Sequence, residues 1–162
     1  MNIVLARIDN RLIHGQVLEA WIPFTHANCI VVANDELEKP SLRRAMMEAS
    51  VPRSIKVIIG GVDEVCRRLR DEVLDNKKIL LLFASSNDAL RAHRGGLHFK
   101  ELNLGNMHEA QGKYQLSCTI HLDEKDIENL ALLEAEGVEI VSRCVPADRG
   151  QQWKKLIRSM PG

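Results

Sequence analysis

The stretch Lys78–Phe83, which reads KILLLF, is an unbroken apolar run behind a charged first residue. Cys29–Ala33, which reads CIVVA, has the same character. A strand with one solvated face alternates between polar and apolar residues, and neither run does so. Both are typical of strands covered on both faces, as in a parallel sheet with helices on either side.

Five further short apolar runs are distributed along the chain: Ile3–Ile8, Ile55–Ile59, His98–Leu104, Gln115–Ile120 and Val138–Cys144. Between the runs lie five apolar stripes at helical spacing: Val17–Phe24, Leu42–Ala49, Val62–Val73, Ile127–Leu133 and Trp153–Met160. We expect one apolar face of each helix to be buried. Alternating strands and helices predict an α/β fold with right-handed crossovers and an open, mostly parallel sheet. No clear helix separates the two runs within Leu97–Ile120, which predicts one antiparallel strand there.

The composition limits both the size and the class of the protein. A chain of 162 residues suffices for one domain. Lys plus Arg and Asp plus Glu both number 22, which argues against a nucleic-acid partner. No apolar run approaches the roughly 20 residues of a membrane-spanning helix. The four cysteines form no CxxC pair, so we expect them to be reduced core residues in a cytoplasmic protein.

The loop after the first predicted strand concentrates reactive side chains. Ligands of open α/β sheets bind beyond the carboxyl ends of the strands. Arg7–Val17, which reads RIDNRLIHGQV, places two arginines, one carboxylate and His14 in eight residues, ahead of a helix expected to start near Gly15. Histidine is a good nitrogen nucleophile near neutral pH, and arginines and helix N-termini bind phosphate. The residues alone fit two interpretations, a phosphoryl-transfer site or a capping histidine among surface charges.

Arg7–Val17 also resembles the signature of a known family. It is similar to the IIB component of the mannose/fructose/sorbose family of the bacterial phosphoenolpyruvate-dependent sugar phosphotransferase system. The resemblance continues through Asn103–Lys113, which reads NLGNMHEAQGK, and the helix start Asp123–Ile127. It implies that residues 1–162 form a single EIIB type-4 (mannose/sorbose-type) domain.

The resemblance implies a specific architecture and site. The fold would be an open twisted sheet of seven strands, six of them parallel, with helices on both faces and the histidine-bearing strand in the centre. The loops at residues 84–87 and Gly105–Lys113 would lie beside it. The implied catalytic residues are His14 (phosphorylated on the pros nitrogen, Nδ1), Arg11 and Asp9. The phosphate-binding candidates are Arg7, Gly15, Gln16 and Ser85, with His108 and Lys113 as candidates from a second loop. No metal or other cofactor is implied.

The resemblance also implies an activity and partners. The chain would accept a phosphoryl group from a IIA phosphohistidine and pass it to a sugar that enters through the membrane subunits IIC and IID. It would thus be a protein-Npi-phosphohistidine–sugar phosphotransferase, cytoplasmic and peripherally associated with IIC and IID. The resemblance leaves open whether two copies of the chain form a homodimer. The alternative is a regulatory protein that uses the same histidine without sugar transport.

Two local features of the sequence bear on this expectation. Many family members carry a second Asp where this chain has Asn10. The change removes a negative charge beside the expected phosphate, and we expect it not to impair transfer. The loop Gly105–His108, which reads GNMH, resembles that of members handling amino sugars or galactose-type sugars.

Overall fold

The computed structural model describes residues 1–158, so Met160 lies outside the described part of the chain. Its strands are β1 (Asn2–Asp9), β2 (Cys29–Ala33), β3 (Lys56–Gly60), β4 (Lys78–Phe83), β5 (Glu101–Asn106), β6 (Tyr114–Gln115), β7 (His121–Leu122), β8 (Glu139–Ser142) and β9 (Gln151–Gln152). Helix α1 begins at Gly15, makes a π-helical turn over Val17–Trp21 and ends with Ile22–Thr25. The other helices are α2 (Leu42–Ser50), α3 (Val62–Asp71), α4 (Ser86–Arg94), α5 (Glu124–Ala135) and α6 (Trp153–Arg158).

The main sheet has seven strands in the order β3-β2-β4-β1-β5-β8-β9. β1 lies in the centre and pairs in parallel with β4 on one side and β5 on the other. The fold class and the central place of the His14-bearing strand are thereby confirmed. The loops that follow β1, β4 and β5 consequently meet at one edge of the sheet.

The antiparallel strand is not where the sequence predicted it. It is β9, which pairs with β8 through Ser142 and Gln151. Of the expected strand Gln115–Ile120, only Gln115 lies in a strand, β6. Residues 116–120 connect β6 to β7, and these two short strands form an antiparallel sheet of their own. The segment Leu97–Ile120 therefore supplies only β5 to the main sheet.

Helices cover the sheet on both faces, as the uninterrupted apolar runs predict. Val31 of β2 and Leu81 of β4 belong to the core beneath α3, α4 and α5, whereas Val32 and Leu82 belong to the core beneath α1 and α2. All four side chains have 0% exposed surface. Within residues 1–158, no helix is both long and apolar enough to cross a membrane.

Helix α2 buries a different face from the predicted one. Leu42 and Met46 of the apolar stripe are 78% and 63% exposed, and the helix instead buries Met47. Arg44, one helical turn before Met47, donates hydrogen bonds to the carbonyls of Leu37 and Glu38 at 2.8 and 2.9 Å. These bonds turn the Arg44–Met47 face towards the protein and leave the apolar stripe in solvent.

The cysteines divide into two groups, so the expectation of four core cysteines was wrong for two of them. All four are free; Cys29 and Cys66 are buried, Cys144 is half-buried and Cys118 is exposed. Cys118 lies in the connection between β6 and β7, outside the main sheet that holds the buried Cys29.

Candidate functional site

The loop that carries His14 leaves the carboxyl end of the central strand and is held at both sides. The N–H of Leu12 donates to the Asp9 carbonyl at 2.9 Å, and the N–H of Asn10 donates to the Asn106 carbonyl of β5 at 3.0 Å. The first helical bond runs from the Leu18 N–H to the His14 carbonyl at 3.1 Å. His14 therefore stands at the N-terminus of α1, where amide groups of the first turn have no acceptor within the helix.

One residue of this loop has an unfavourable backbone conformation. Leu12 has a φ of 60°, in the left-handed region that side chains other than glycine rarely adopt. Its side chain is fully buried in the core beneath α1 and α2. Burial of the side chain therefore holds the loop in a conformation that the backbone alone disfavours.

Asp9 is a buried carboxylate at the centre of the site. It has no exposed surface, and its oxygens accept from Arg7 Nη2 at 3.3 Å, from the Arg11 N–H at 3.1 Å and from His14 Nε2 at 2.9 Å. Burial alone would raise the pKa of Asp9, but the hydrogen bonds from His14 and Arg11 outweigh it and lower the pKa to about 2. Asp9 is consequently a permanent negative charge at neutral pH.

The contact with Asp9 makes the two ring nitrogens of His14 inequivalent. An ionised carboxylate only accepts, so His14 Nε2 carries the proton in this 2.9 Å hydrogen bond. In the neutral ring, Nδ1 then holds the free lone pair. No hydrogen bond engages Nδ1 within the part of the chain that the structure describes. The side chain is 16% exposed, so a partner can reach it only from the side that faces solvent.

Arg11 and Gln16 form the surface of the site. The Arg11 side chain is 46% exposed, and its Nε and Nη2 donate to the two Asp9 oxygens at 3.2 and 3.3 Å. The same Nη2 also donates to Gln16 Oε1 at 3.2 Å. Arg11 is thus oriented by Asp9 while its guanidinium stays accessible to an anion.

Arg7, which we expected at the phosphate, lies underneath the site and has no exposed surface. Its Nη1 donates to Asn103 Oδ1 and to the Arg143 carbonyl, and its Nη2 donates to Asp9 and to the Cys144 carbonyl. Burial lowers the pKa of Arg7 and Asp9 opposes that effect, yet an arginine stays protonated in proteins. Direct contact with a phosphoryl group would require Arg7 to leave this position.

The second loop and Ser85 border a groove next to the His14 loop. This groove has a volume of about 520 Å³ and is lined by Asn10, Arg43, Ser85 and His108, among others; His14 is not among its lining residues. Ser85 caps α4, where its Oγ accepts from the Asp88 N–H at 3.2 Å. His108 is exposed.

Lys113 is not free for a phosphate contact. Its Nζ lies 3.2 Å from Asp126 Oδ2, at the start of α5. Asp126 in turn accepts from Ser86 Oγ and from the Asp123 N–H, so the ion pair fastens the second loop to the helix.

Sequence reasoning missed two asparagines of β5, Asn103 and Asn106. Asn103 binds Arg7, and the Asn106 side chain donates to Asn10 Oδ1. The available signal was that two asparagines interrupt an otherwise apolar strand that neighbours the reactive loop.

An open α/β sheet with these charges at the end of its central strand has the nucleophile and the anion-binding groups that a phosphotransferase component needs, and comparisons with known proteins identify that class. Residues 3–160 match the family described as PTS system sorbose subfamily IIB component. The chain belongs to this family, whose members are IIB components of sugar phosphotransferase systems and work with IIA and membrane IIC partners.

Individual relatives cover almost the whole chain. The N-acetylgalactosamine-specific phosphotransferase enzyme IIB component 2 of Escherichia coli is 37% identical over 96% of this chain and 99% of its own length. The PTS system mannose-specific EIIAB component of the same organism is 34% identical, and the chain spans 49% of its length. The IIBSor domain of the Klebsiella pneumoniae sorbose permease superposes with a TM-score of 0.93, at 30% identity over 99% of both chains.

Proposed function

We propose that His14 is the phosphoryl carrier of this IIB component: Nδ1 accepts the phosphoryl group from a IIA phosphohistidine and passes it to a sugar. The observation that carries the proposal is the 2.9 Å contact between Nε2 and Asp9, which leaves Nδ1 as the free nucleophile. In this proposal the protein catalyses the reaction of a protein-Npi-phosphohistidine–sugar phosphotransferase.

The chemistry needs no proton on the attacking nitrogen. The Nδ1 lone pair forms the new N–P bond while the bond between phosphorus and the donor imidazole breaks, and the donor nitrogen keeps the electron pair. The His14 ring becomes cationic because Nε2 keeps its proton, and the Asp9 carboxylate at 2.9 Å stabilises that charge. The transition state is loose, with negative charge on the equatorial oxygens of the phosphoryl group.

Groups of the His14 loop, and Ser85 from the neighbouring groove, are candidates for binding these oxygens. Arg11 presents an accessible guanidinium, and Gly15 and Gln16 supply amide groups at the positive end of α1. Ser85 keeps its hydroxyl proton for donation, because the Asp88 N–H uses only a lone pair of the oxygen. In the second transfer, a sugar hydroxyl forms the bond to phosphorus, the Nδ1–P bond breaks, and the hydroxyl proton passes to a base at the sugar site.

The proposal extends to compartment, partners and sugar. We place the protein in the cytoplasm, docked on the membrane subunits IIC and IID, with residues 1–162 acting as one IIB domain. The loop Gly105–His108 and the similarity to an N-acetylgalactosamine-specific IIB component both favour an amino sugar of the galactose type. No feature of residues 1–158 favours the regulatory alternative over transport.

The test is transfer of label from phosphoenolpyruvate through the general phosphocarrier proteins and IIA. We expect one phosphohistidine, at His14, and none in His14→Ala. The control is His98→Ala. It removes an exposed histidine that lies three residues before β5, and the variant should be labelled like the wild type. A labelled His14→Ala protein contradicts the proposal.

A second arm separates transport from regulation. Membranes that contain IIC and IID should discharge the phosphorylated protein when N-acetylgalactosamine is added, and should not do so without sugar. A label that survives every sugar in these membranes would favour the regulatory alternative.

A further inference from the structure

We propose that Arg7 is a positioning residue: it fixes Asp9 in the orientation that binds His14 Nε2, and so selects Nδ1 as the phosphorylated nitrogen. This inference rests on the proposed function of His14. It replaces the expected contact between Arg7 and phosphate with an indirect role, exerted from beneath the site.

The contacts of Arg7 form a clamp between three parts of the sheet. Its guanidinium holds Asn103 of β5, the carbonyls of Arg143 and Cys144 after β8, and Asp9 at the end of β1. The carbonyls are 2.8 and 3.0 Å away, and Asp9 is 3.3 Å away. A planar guanidinium has enough directed donors for all four partners, which an ammonium on a flexible stem does not.

The surroundings allow the guanidinium little room to move. The Arg7 Cζ lies 4.8 Å from the centroid of the Trp21 ring. The Trp21 Nε1 also donates to the Cys144 carbonyl at 3.2 Å, so ring and guanidinium share one acceptor. Arg7 is thus fixed by packing as well as by hydrogen bonds.

Gly105 is the position that makes room for Arg7. A Cβ built on Gly105 would come within 2.0 Å of the Arg7 Cζ, far inside van der Waals contact. Gly105 does not have a positive φ, so its backbone conformation does not require glycine. Glycine is required at this position because the Arg7 guanidinium approaches the backbone of Gly105 so closely.

From Arg7 the constraint passes through one buried carboxylate. The oxygen that accepts from Arg7 Nη2, Asp9 Oδ2, also accepts from His14 Nε2. A displaced guanidinium would remove the buried donor to Oδ2 and leave the carboxylate to Arg11, whose N–H, Nε and Nη2 also bind it. The carboxylate could then rotate towards Arg11 and away from the ring. His14 could then offer either nitrogen to a phosphoryl donor.

The first measurement uses the wild-type protein without phosphate. We expect a ring N–H proton signal of His14 that is protected from exchange with water and correlates with Nε2 in nitrogen-15 NMR spectra. After phosphorylation, we expect only the pros isomer (Nδ1). A protected proton on Nδ1, or a tele-phosphohistidine (Nε2) in the wild type, overturns the proposal without any variant.

Two variants displace the guanidinium in different ways. Arg7→Lys keeps the charge and loses the fork, whereas Gly105→Ala keeps Arg7 and pushes it from its place. In each we expect loss of the protected Nε2 proton, a measurable tele-phosphohistidine fraction, and a phosphorylation rate roughly 10- to 100-fold lower, by analogy with the loss of a partner that orients a metal-bound histidine.

Matched controls separate the effect of the substituted position from the effect of the type of substitution. Arg44→Lys also removes an arginine fork that binds carbonyls, and Gly60→Ala also adds a Cβ, which meets only the flexible end of the Glu64 side chain. Both should keep the protected proton and the pros isomer. If folded Arg7→Lys and Gly105→Ala proteins match these controls, the positioning role is refuted.

The outcomes also separate this inference from the proposed function. A wild-type protein that IIA never phosphorylates on His14 refutes the carrier function, while the protected proton, compared between unphosphorylated wild type, Arg7→Lys and Gly105→Ala, still tests the role of Arg7. A carrier that transfers normally with a mobile His14 ring refutes the role of Arg7 alone.

Discussion

The loops that follow β1 and β5 lie side by side at the same edge of the sheet, yet they are built in opposite ways. After β1, a fully buried carboxylate binds Arg7, Arg11 and His14, and little of the histidine is exposed. After β5, His108 is exposed, and Lys113 pairs with Asp126 of the capping box of α5.

The difference shows how a chain without net charge prepares a site for an anion. The first loop fixes its charges before any partner arrives, so their orientation costs nothing at the moment of transfer. The second loop uses its charge to fasten itself to a helix. We therefore expect the reaction to depend strongly on the first loop and weakly on the second.

The largest effect is expected at Asp9. Asp9→Asn keeps the shape of the side chain and removes the charge that holds the Nε2 proton of His14. We expect phosphorylation of His14 to slow on the order of 1,000-fold, because an amide does not stabilise the charged ring or fix the reactive tautomer. Rapid-quench measurement of transfer from IIA checks this, and a loss below tenfold would show that Asp9 is not essential to the site.

Leu12 tests whether the buried side chain holds the loop. Leu12→Ala should lower the free energy of unfolding by about 3 kcal/mol, through lost burial and the cavity that remains. Leu12→Gly should be no less stable than Leu12→Ala, because glycine adopts the φ of 60° without strain. Urea denaturation measures both variants, and a glycine variant clearly weaker than the alanine variant would speak against backbone strain at this position.

Acid should weaken the first loop through Asp9. Its pKa lies near 2 in the folded protein and near 3.8 in the unfolded chain, so ionised Asp9 stabilises the fold above about pH 4. About 2 kcal/mol of stability should disappear as the pH falls from 4 towards 2.

The comparison of wild type with Asp9→Asn isolates this contribution. Other carboxylates with a lowered pKa, such as Asp35 and Asp126, are present in both proteins and cancel. Urea denaturation at pH 5 and pH 2.5 should show the steeper loss in the wild type; parallel losses would assign the acid sensitivity elsewhere.

Arg11 should have a smaller effect than Asp9 because it lies at the surface. Arg11→Lys keeps the charge and loses the paired donors to Asp9, and we expect transfer to slow about tenfold. Arg43→Lys, on the rim of the adjacent groove, is the matched control and should change the rate less than twofold, on the order of a weak surface contact. Equal effects in the two variants would mean that Arg11 contributes only general charge.

The second loop should respond least. His108→Ala should change the rate of phosphorylation by IIA less than about twofold. Lys113→Ala should leave this rate equally unaffected, although it should cost roughly 1–3 kcal/mol of stability, because the pair is largely shielded from water and Asp126 loses a charged partner. Stopped-flow transfer and urea denaturation measure these effects. A large loss in His108→Ala would place this histidine in the reaction and remove the contrast between the two loops.

Much of the fold follows from local sequence because the strands lie within continuous apolar runs. Lys78–Phe83 and Cys29–Ala33 were predicted residue for residue. The loop predicted as the site does follow the central strand, although its role stays a prediction. These features depend on residues adjacent in the chain. The pattern of charges near His14 is likewise local.

The errors concern residues whose environment comes from distant segments. The burial of Arg7 depends on Asn103, Gly105 and the carbonyls of residues 143 and 144, which no local pattern reveals. The exposed stripe of α2 depends on Arg44, whose bonds to backbone carbonyls set the rotation of the helix. β9 is only two residues long and has no apolar run to predict it.

Gly105 carries a consequence for sequences other than this one. Its missing side chain is the space that the Arg7 guanidinium fills, so two positions almost a hundred residues apart should change together. In a related protein with a shorter side chain at the position of Arg7, the position of Gly105 is free to carry a Cβ. A protein that keeps the arginine should keep the glycine. Covariation of this pair across the family would indicate, from sequences alone, that the arginine is buried against the glycine.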